Sequence, residues 1–304
     1  MSSGFRLRLP ATSANLGPGF DSAAVALSFS LEVEAGPAPE FSIEAKGKDS
    51  DLCSSLENNL ILTTYSRTLR EQGREVQPLA ISMHNQIPLG MGCGSSAAGR
   101  LAAIAMAVHF GNLGWNGERI LEEACVLEGH PDNAAACWLG GFVAAANQGR
   151  TVRVARVIPP AEWRAIVVLP SESLATSSAR AVLPSEYSSS DVVANLQSAL
   201  MLGVAFAQGR GDLLQTAMQD RLHQPYRAGI CPLLPRLLPL AGQDGILGVS
   251  LSGAGPAVLV IAENQEVTEQ VSRRILSATD PCSEPSLLVC SFHDAGAEAS
   301  FRAA

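Results

Sequence analysis

The chain has 304 residues, 47% of them hydrophobic, which predicts a buried core and two domains of ordinary size. The formal net charge of −8 and the lack of any basic run exclude a nucleic-acid binder that relies on phosphate contacts. Because Lys46 and Lys48 are the only lysines and lie in a polar stretch, anion recognition is expected to use arginine, histidine or backbone N–H groups.

The first half of the chain alternates predicted strands and helices. Apolar alternation and runs rich in Val, Leu and Phe predict strands at 5–9, 23–34, 41–45 and 79–84. Capping residues predict a helix after Asn58 and Asn59, and a further helix is predicted at 118–127, just before Gly129. A break is predicted at 147–160, where glycine and two prolines interrupt a polar alternation.

The second half repeats this mixture. Strands are predicted at 164–169, 246–252, 257–262 and 287–292, the middle two forming a hairpin. Helices are predicted from Asp191 through Val204, at 212–222 and at 268–276. Strands and helices mix without strict βαβ repetition, which favours an α+β fold over a doubly wound sheet.

Cysteine usage and the lack of targeting signals predict the compartment. No apolar run approaches the length of a membrane span, and the N-terminus lacks the apolar stretch of a signal peptide. The seven cysteines, Cys282 among them, are scattered without C-x-x-C spacing, so neither a zinc site nor a disulfide framework is expected. We therefore expect no membrane contact and a reducing cytoplasm.

Residues 10–21 are the first segment dense in candidate functional groups. Two glycines and two prolines predict a loop between the first two strands. Asn15 and Asp21 supply its only amide and its only carboxylate. Asp21 is suited to bind an ammonium group, and Asn15 to bind a substrate hydroxyl, although Asx turns that brace the loop would account for both residues.

Residues 86–99 are the most informative stretch, because three alternating glycines precede Ser95 and Ser96 at the start of an alanine-rich helix. Glycine lets the main chain approach a ligand closely, and a helix start presents free N–H groups at its positive end. This pattern predicts a phosphate-binding loop. It is not a Walker A loop, because no lysine follows the glycines, and it lacks the spacing of a dinucleotide fingerprint.

A third segment, residues 128–133, follows the predicted helix at 118–127. His130 is suited to recognise an anionic substrate, and Asp132 to accept a proton from an attacking hydroxyl. Glu122, on the preceding helix, is a candidate Mg²⁺ ligand. The alternative is a polar end of a helix followed by a turn, with Glu122 facing water.

Two further groups of residues come from the second half. Residues 251–256, with glycines at 253 and 255, predict a hairpin turn that would let two backbones pack closely if it met the phosphate loop. Arg180, which follows Thr176, and Arg227 carry forked guanidinium groups that suit carboxylates and phosphates.

Three ordered motifs, residues 10–21, 88–98 and 251–256, resemble those of the GHMP kinases, and the resemblance runs through nearly the whole chain. The form Pro-Ala-Thr-Ser-Ala-Asn-Leu-Gly-Pro-Gly-Phe-Asp is similar to that of the homoserine kinases within them. The resemblance implies an N-terminal domain over 1–155, like the second domain of ribosomal protein S5, and a ferredoxin-like C-terminal domain over 156–304.

The resemblance also implies that the cofactors are ATP and Mg²⁺. Mg²⁺ would be held by Ser96 and Glu122. The implied ATP-binding residues are Asn59, near the adenine, and Pro88, Leu89, Gly90, Met91, Gly92, Cys93, Gly94, Ser95, Ser96, Ala97 and Ala98. Met91 and Cys93 depart from the family pattern, which has a charged residue and a leucine there, and the loss of charge at Met91 predicts weaker nucleotide binding.

For the second substrate, the resemblance implies L-homoserine, converted to O-phosphohomoserine in threonine biosynthesis. Asn15, Asp21, His130 and Thr176 would hold it, with Arg180 and Arg227 at its carboxylate. We expect direct in-line transfer from ATP. Asp132 is the candidate base, but if Asn133 takes that place, the hydroxyl proton passes to the phosphate itself. A homodimer is expected from the resemblance alone.

Two alternative functions stay open at this point. The first is a GHMP kinase for another small alcohol such as mevalonate, although Asp21 with paired arginines suits a zwitterionic amino acid better. The second is a non-catalytic protein of this fold that binds a small molecule and regulates. The presence of Glu122 and both serines argues against the second alternative.

Overall fold

The computed structural model describes residues 4–279 and 285–301. Cys282 lies outside the described residues. Two sheets organise the chain, one built from residues of the first half and one from the second.

The first sheet has the order β3-β4-β2-β5-β6, with β1 paired to β2. Its strands are β1 (Phe5–Asn15), β2 (Gly19–Pro37), β3 (Ser42–Gly47), β4 (Leu79–Asn85), β5 (Phe142–Gln148) and β6 (Thr151–Val157). Strands β3 and β4 pair parallel, and the other pairs are antiparallel. The long hairpin of β1 and β2 pairs Phe5 with Ala35 and places the segment between Asn15 and Gly19 at one end of the sheet.

Helices of the first half cover this sheet. They are α1 (Ser50–Ser54), α2 (Leu60–Glu71), α3 (Ser95–Gly111), α4 (Gly117–Glu128) and α5 (Asp132–Leu139). Helix α3 is buried continuously from Ala97 to Gly99 and from Leu101 to His109, and small alanines let α2, α4 and α5 pack closely around it. As predicted, Asn59 caps α2, its Oδ1 accepting from the N–H groups of Ile61 and Leu62.

The second sheet is antiparallel, with the order β10-β7-β9-β8. Its strands are β7 (Arg164–Leu169), β8 (Ile246–Leu251), β9 (Val258–Ala262) and β10 (Ser286–Ser291). The helices of this half are α6 (Thr176–Ala181), α7 (Ser189–Gln208), α8 (Leu214–Ala217), α9 (Gln224–Arg227), α10 (Leu233–Leu237) and α11 (Thr268–Ala278). After β10 the chain returns to the first sheet, where Phe292 bridges to Leu27.

Three predicted segments differ from the structure. The loop predicted at 10–21 is mostly strand, because β1 continues to Asn15 with buried side chains and β2 begins at Gly19. The break predicted at 147–160 contains the end of β5, the turn and all of β6, whose exposed side chains hid the strand signal. The helix predicted at 212–222 is limited to a 3₁₀ turn and the short α8.

Helix α7 corrects two expectations. It begins at Ser189 with Ser188 as its cap, because the Ser188 hydroxyl accepts from the N–H of Asp191. Its 20 residues make it long and apolar enough to cross a membrane by length and composition alone, although no run of that kind was expected from the sequence. Most of its surface is exposed, and Leu200 is 73% exposed.

Candidate active site

A cleft of about 260 Å³ lies where the glycine-rich stretch, the β1–β2 connection and the β8–β9 turn meet. It gathers most of the predicted site residues, which come from segments far apart in the chain. The predicted residues that line it are Asn15, Asp21, Gly90, Gly92, Cys93, Gly94, Ser95, Ser96, His130, Asp132, Asn133, Thr176, Arg180 and Arg227. The predicted residues that do not line it are Asn59, Pro88, Leu89, Met91, Ala97, Ala98 and Glu122.

The glycine-rich stretch forms a tight loop in front of α3. Gly90, Gly92 and Gly94 all have positive φ, a conformation that side chains disfavour. A Cβ atom at Gly92 would overlap the carbonyl oxygen of Ser252, and one at Gly94 would overlap the hydroxyl of Thr12. Only glycine therefore allows this loop to lie against both neighbours and to direct the first N–H groups of α3 at the cleft.

The turn between β8 and β9 supports the loop from the other domain, as expected from its glycines. The Ser252 hydroxyl donates to the Gly92 carbonyl oxygen at 2.7 Å, and the Ala257 N–H donates to the Met91 carbonyl oxygen. The Gly253 N–H donates to the Ala14 carbonyl oxygen at the end of β1. All three motifs are thus joined by hydrogen bonds to backbone carbonyl groups.

Glu128, rather than Glu122, faces the serine end of the loop. The Ser96 hydroxyl donates to Glu128 Oε1 at 2.7 Å, and Arg100 Nε lies 2.6 Å from the same oxygen. Glu122 does not line the cleft, and its carboxylate lies 3.9 Å from Arg119. In this structure α4 directs its last residue, and not its middle, at the cleft, so Glu128 and not Glu122 contacts Ser96. The predicted role of Glu122 as a Mg²⁺ ligand stays a prediction.

Asp132 and Asn133 are the first residues of α5, and His130 lies in the short connection between the end of α4 at Glu128 and the start of α5. Asp132 is 1% exposed, and its Oδ1 lies 2.6 Å from His130 Nδ1 and accepts from the Asn133 N–H at 2.6 Å. Asn133 Oδ1 accepts from the Thr12 hydroxyl at 2.7 Å. Asp132 thus orients both neighbours, and helix α5 fixes their positions.

The charge of His130 depends on this carboxylate. Burial opposes a charged imidazole, but the hydrogen bond to Asp132 and its negative charge outweigh burial, so the pKa of His130 is raised above its usual 6.5. The charged form suits a cleft that would receive anions. Asp21, His130 and Asp132 also lie close enough together to share one cation.

Asn15 and Asp21 hold the β1–β2 connection in an unusual shape. Both have positive φ, as does Leu16 between them. Asn15 Oδ1 accepts from the Asp21 N–H at 3.0 Å, and Asn15 Nδ2 donates to the Gly253 carbonyl oxygen at 2.8 Å. The amide of Asn15 therefore connects two walls of the cleft, and its predicted contact with a substrate hydroxyl stays a prediction.

Arg180 and Asp21 form a forked ion pair across the cleft. Arg180 Nη1 donates to Asp21 Oδ2 at 3.0 Å and Nη2 donates to Oδ1 at 2.8 Å. These hydrogen bonds raise the pKa of Arg180 above its usual value. Both side chains are partly exposed, so the pair is open to exchange with a ligand.

Arg227 is buried but lines the same cleft. Burial, together with the charge of Arg180, lowers the pKa of its guanidinium. Two arginines therefore converge opposite one carboxylate, Asp21. Phe20 separates them, its ring lying 5.7 Å from the Arg180 guanidinium carbon and 5.4 Å from that of Arg227.

Asn59, Met91 and Cys93 each have a structural role. Asn59 uses its Oδ1 to cap α2 and its Nδ2 to donate to the carbonyl oxygens of Cys53 and Ser55. Met91 packs against the core, and burial raises the pKa of the Cys93 thiol to about 12. The role of Asn59 near an adenine and the effect of Met91 on nucleotide binding stay predictions.

Two charged residues of the cleft were not predicted as site residues from the sequence, since Arg100 was not assigned to a site and the side chain of Glu128 was given no role. The spacing of Ser96 and Arg100, four residues apart on one helix, was a signal that both share a face. The position of Glu128 as the last residue before Gly129 was a weaker signal, since it depends on how α4 meets α3.

Two family models match this chain. The GHMP kinases N terminal domain matches residues 59–141, and the GHMP kinases C terminal domain matches residues 204–280. Homoserine kinase from Solibacter usitatus is 43% identical over 278 residues, which cover 90% of this chain and 91% of that protein. Homoserine kinase from Synechocystis sp. is 34% identical over 299 residues, covering 97% and 93%.

Solved structures share the whole fold. The crystal structure of homoserine kinase from Cytophaga hutchinsonii superposes with a TM-score of 0.80 at 25% identity and covers 97% of each chain. Mevalonate kinase from L. major, at 14% identity, has a TM-score of 0.73 over 96% of this chain and 97% of that one, which shows a common fold alone. On its sequence relatives and its two-domain GHMP fold, the chain belongs to the homoserine kinase family of the GHMP kinases.

Proposed function

We propose that this protein transfers the γ-phosphoryl group of ATP to the side-chain hydroxyl of L-homoserine, the step that yields O-phosphohomoserine in threonine biosynthesis. The observation that carries the proposal is the Asp21–Arg180 pair beside the phosphate loop. An amino acid carries the same two charges. Its ammonium group would replace Arg180 at Asp21, and its carboxylate would replace Asp21 at Arg180 and reach Arg227.

The acceptor hydroxyl would attack from the end of the cleft formed by α3 and α5. The N–H groups at the start of α3 and the glycine loop would hold the phosphates. As the hydroxyl oxygen bonds to the γ-phosphorus, the bond from that phosphorus to the bridging oxygen of ADP breaks. His130, whose charged form is favoured by Asp132, would stabilise the negative charge of the reacting phosphoryl group.

Ser96 and Glu128 fit a Mg²⁺ ion. A hydroxyl and a carboxylate are oxygen ligands of the kind this ion prefers, and the two groups lie 2.7 Å apart at the start of α3. We therefore assign the metal-binding role to Glu128 in place of Glu122. When bound, Mg²⁺ neutralises phosphate charge during transfer.

Asp132 would act through its neighbours and not as the base. Its Oδ1 already holds His130 and the Asn133 N–H, and its side chain is buried. Asn133 has no basic group, because an amide nitrogen does not accept a proton. The hydroxyl proton would then pass to the phosphoryl oxygens, the second of the two routes considered from the sequence.

We expect Asp132→Asn to lower kcat by about tenfold, well short of the roughly 10²–10⁴-fold effect of losing a general base. Without the carboxylate, burial should lower the pKa of His130 against the remaining charges of Asp21 and Glu128. Because the folded-state pKa is raised in the wild type, stability from this ion pair is present below pH 6.5 and lost as the pH rises through that raised value. NMR titration of the imidazole and pH-dependent unfolding measure both effects.

His130→Gln is the matched control for this prediction. If Asp132 acts through His130, the two variants and their double variant should lose the same factor in kcat. A kcat for Asp132→Asn more than about a hundredfold below that of His130→Gln would instead make Asp132 the base, and near-normal turnover would remove any role in catalysis.

The proposed function is tested by ADP release from Mg-ATP in a coupled assay. L-Homoserine, mevalonate, L-serine and no acceptor are compared in parallel. Turnover with L-homoserine alone is expected. Turnover only with mevalonate would keep the fold and phosphate loop but discard the acceptor assignment, and ATP binding without turnover for any acceptor would favour a regulatory protein.

We also propose that the protein is a cytoplasmic homodimer. The free state of all six cysteines among the described residues supports a reducing compartment. The exposed face of α7 supports the dimer: no charged residue occurs between Asp191 and Arg210, and Val193, Leu196, Leu200 and Val204 repeat along one side. At Gly203, where an added Cβ would meet open space, a second helix has room to approach.

We expect light scattering to give the mass of a dimer for the wild type and of a monomer for Leu200→Glu. Leu52→Glu is the control, because Leu52 is a similarly exposed leucine, 69% against 73%, on α1. A wild-type monomer at micromolar concentration would contradict the dimer, and sedimentation with lipid vesicles would assign the α7 face to a membrane.

A further inference from the structure

His223 is a buried histidine that belongs to none of the three motifs. It precedes α9, and its side chain is 0% exposed. It does not line the cleft, but both of its ring nitrogens contact groups that shape the cleft. A fully buried histidine with two polar contacts has a defined tautomer, and that tautomer can be deduced from its partners.

One ring nitrogen contacts the β1–β2 connection. His223 Nε2 lies 2.8 Å from the carbonyl oxygen of Gly17. A carbonyl oxygen can only accept, so Nε2 carries the proton and donates it. Gly17 is fixed in turn, since its φ is +84° and an added Cβ would overlap the Met218 carbonyl oxygen.

The other ring nitrogen contacts Arg227. Nη1 of Arg227 lies 3.1 Å from His223 Nδ1. A guanidinium group can only donate, so Nδ1 presents its lone pair and His223 is neutral. Burial lowers the pKa of His223, and the charge of Arg227 lowers it further against the opposing effect of Asp220. Protonation at Nδ1 would place two positive groups in contact and remove the acceptor.

Arg227 has two other protein contacts. Its Nε donates to the Ala179 carbonyl oxygen at 3.0 Å, and Nη1 also approaches the Gly253 carbonyl oxygen at 3.4 Å. Among residues 4–279 and 285–301, Nη2 has no hydrogen-bond partner. This leaves Nη2 as the group that can meet a ligand in the cleft, while His223 and the two carbonyl oxygens fix the plane of the guanidinium.

The ring of His223 is itself held on several sides. It stacks on Phe20 with ring centroids 5.2 Å apart and planes 24° apart. The buried carboxylate of Asp220 accepts from the N–H groups of Leu222, His223 and Gln224 and so fixes the start of α9. Arg180 also contacts the Phe20 ring, so one aromatic ring separates the two arginines.

From these contacts we propose that His223 is a positioning residue, which as a neutral acceptor at Nδ1 fixes the guanidinium of Arg227 for the carboxylate of the acceptor amino acid. The inference rests on the proposed function, because it assumes that Arg227 meets that carboxylate. It adds a specificity-determining side chain outside the cleft, which links the β1–β2 connection to the carboxylate site.

Two substitutions separate the two hydrogen bonds of His223. In His223→Asn, the side-chain oxygen lies near the former Nδ1 and accepts from Arg227, while the bond to Gly17 is lost. In His223→Gln, the amide nitrogen reaches the former Nε2 and donates to Gly17, while Arg227 loses its acceptor. Both variants lose the ring stack on Phe20, so a general loss of packing affects them alike.

Each variant is assayed with L-homoserine and with 3-aminopropan-1-ol, which is homoserine without its carboxylate. We expect His223→Gln to raise the KM for L-homoserine by about tenfold with little change in kcat, since an arginine hydrogen bond of this kind is lost. His223→Asn should stay within about threefold of the wild type. For 3-aminopropan-1-ol the two variants should match the wild type. Two results would overturn the proposal. One is an equal rise in KM for both acceptors, and the other is a larger rise in KM for L-homoserine in His223→Asn than in His223→Gln.

Arg227→Met, assayed in the same way, distinguishes failure of this inference from failure of the proposed function. If Arg227→Met affects both acceptors equally, the carboxylate assignment itself is wrong. If it affects L-homoserine alone but His223→Gln does not, only the role of His223 is wrong. Should both His223 variants fail to fold, nitrogen NMR of the wild-type imidazole tests the same contact, since the proposal expects Nε2 protonated and Nδ1 unprotonated, and a proton on Nδ1 would contradict it.

Discussion

Glu128→Gln is expected to lower kcat/KM for Mg-ATP by at least about a hundredfold, the scale of losing a group that stabilises transition-state charge. Glu128 is the carboxylate that accepts from the Ser96 hydroxyl, and Arg100 contacts the same oxygen. The amide keeps the size of the side chain and one acceptor oxygen but removes the charge that would bind Mg²⁺. Activity against Mg²⁺ concentration, and calorimetric binding of ATP with and without Mg²⁺, measure the effect.

Glu122→Gln is the control for this experiment, because Glu122 lies on the same helix and its carboxylate faces Arg119 instead of the cleft. It should retain near-normal activity and an unchanged dependence on Mg²⁺. If Glu122→Gln loses activity and Glu128→Gln does not, the metal-binding assignment returns to Glu122. If neither variant loses activity, the oxygen atoms of Ser96 and Glu128 do not form a metal site.

Asp21→Asn should lower kcat/KM for L-homoserine by roughly 30- to 100-fold. This factor is smaller than the largest effects known for buried charge pairs, because the Asp21 side chain is partly exposed. The carboxylate lies opposite both arginines and is the group suited to an ammonium ion. The amide retains the shape of the side chain but has no charge to offer. Arg180 would also lose its forked partner and become more mobile.

The acceptor 4-hydroxybutyrate, which is homoserine without its ammonium group, completes this test. The wild type should prefer L-homoserine strongly, and Asp21→Asn should lose most of that preference while its activity with 4-hydroxybutyrate stays unchanged. A variant that loses activity equally with both acceptors would indicate that Asp21 supports the β1–β2 connection and does not bind the ammonium group.

The sequence was sufficient to predict a tight glycine-rich loop in front of a helix. Three alternating glycines before two serines indicate a backbone that turns tightly in front of a helix. The structure has all three glycines at positive φ, two of them against a carbonyl oxygen or a hydroxyl that would overlap a Cβ atom. The 251–256 turn was interpreted as a hairpin whose glycines would allow close packing if it met this loop, and the hydrogen bond from Ser252 to Gly92 shows that the two do meet. These features depend on the backbone freedom of glycine, which can be recognised from the local sequence.

The choice between Glu122 and Glu128 could not be made from local chemistry. The two glutamates are six residues apart, which corresponds to about 240° around a helix, so their carboxylates point in different directions. Which of them contacts Ser96 depends on how α4 packs on α3 and α5. The start of α5 at Asp132 was not predicted either, since the alternative interpretation of residues 128–133 placed only a turn after the helix at 118–127.

The ion pair of Asp21 with Arg180 could not be predicted from the sequence either, since the two residues are 159 positions apart. Each had been assigned to one charge of the substrate, and neither spacing nor periodicity indicated that they would meet. Their contact is a consequence of how the β1–β2 connection faces α6, a tertiary arrangement that no local pattern encodes.

Phosphorus NMR of the product formed from ATP and L-homoserine measures the proposed transfer at the bond it creates. We expect a new phosphomonoester resonance coupled to the protons of the side-chain CH₂ group, formed in step with ADP. ADP formed together with inorganic phosphate alone, or a phosphoryl group on the carboxylate, would contradict transfer to the homoserine hydroxyl.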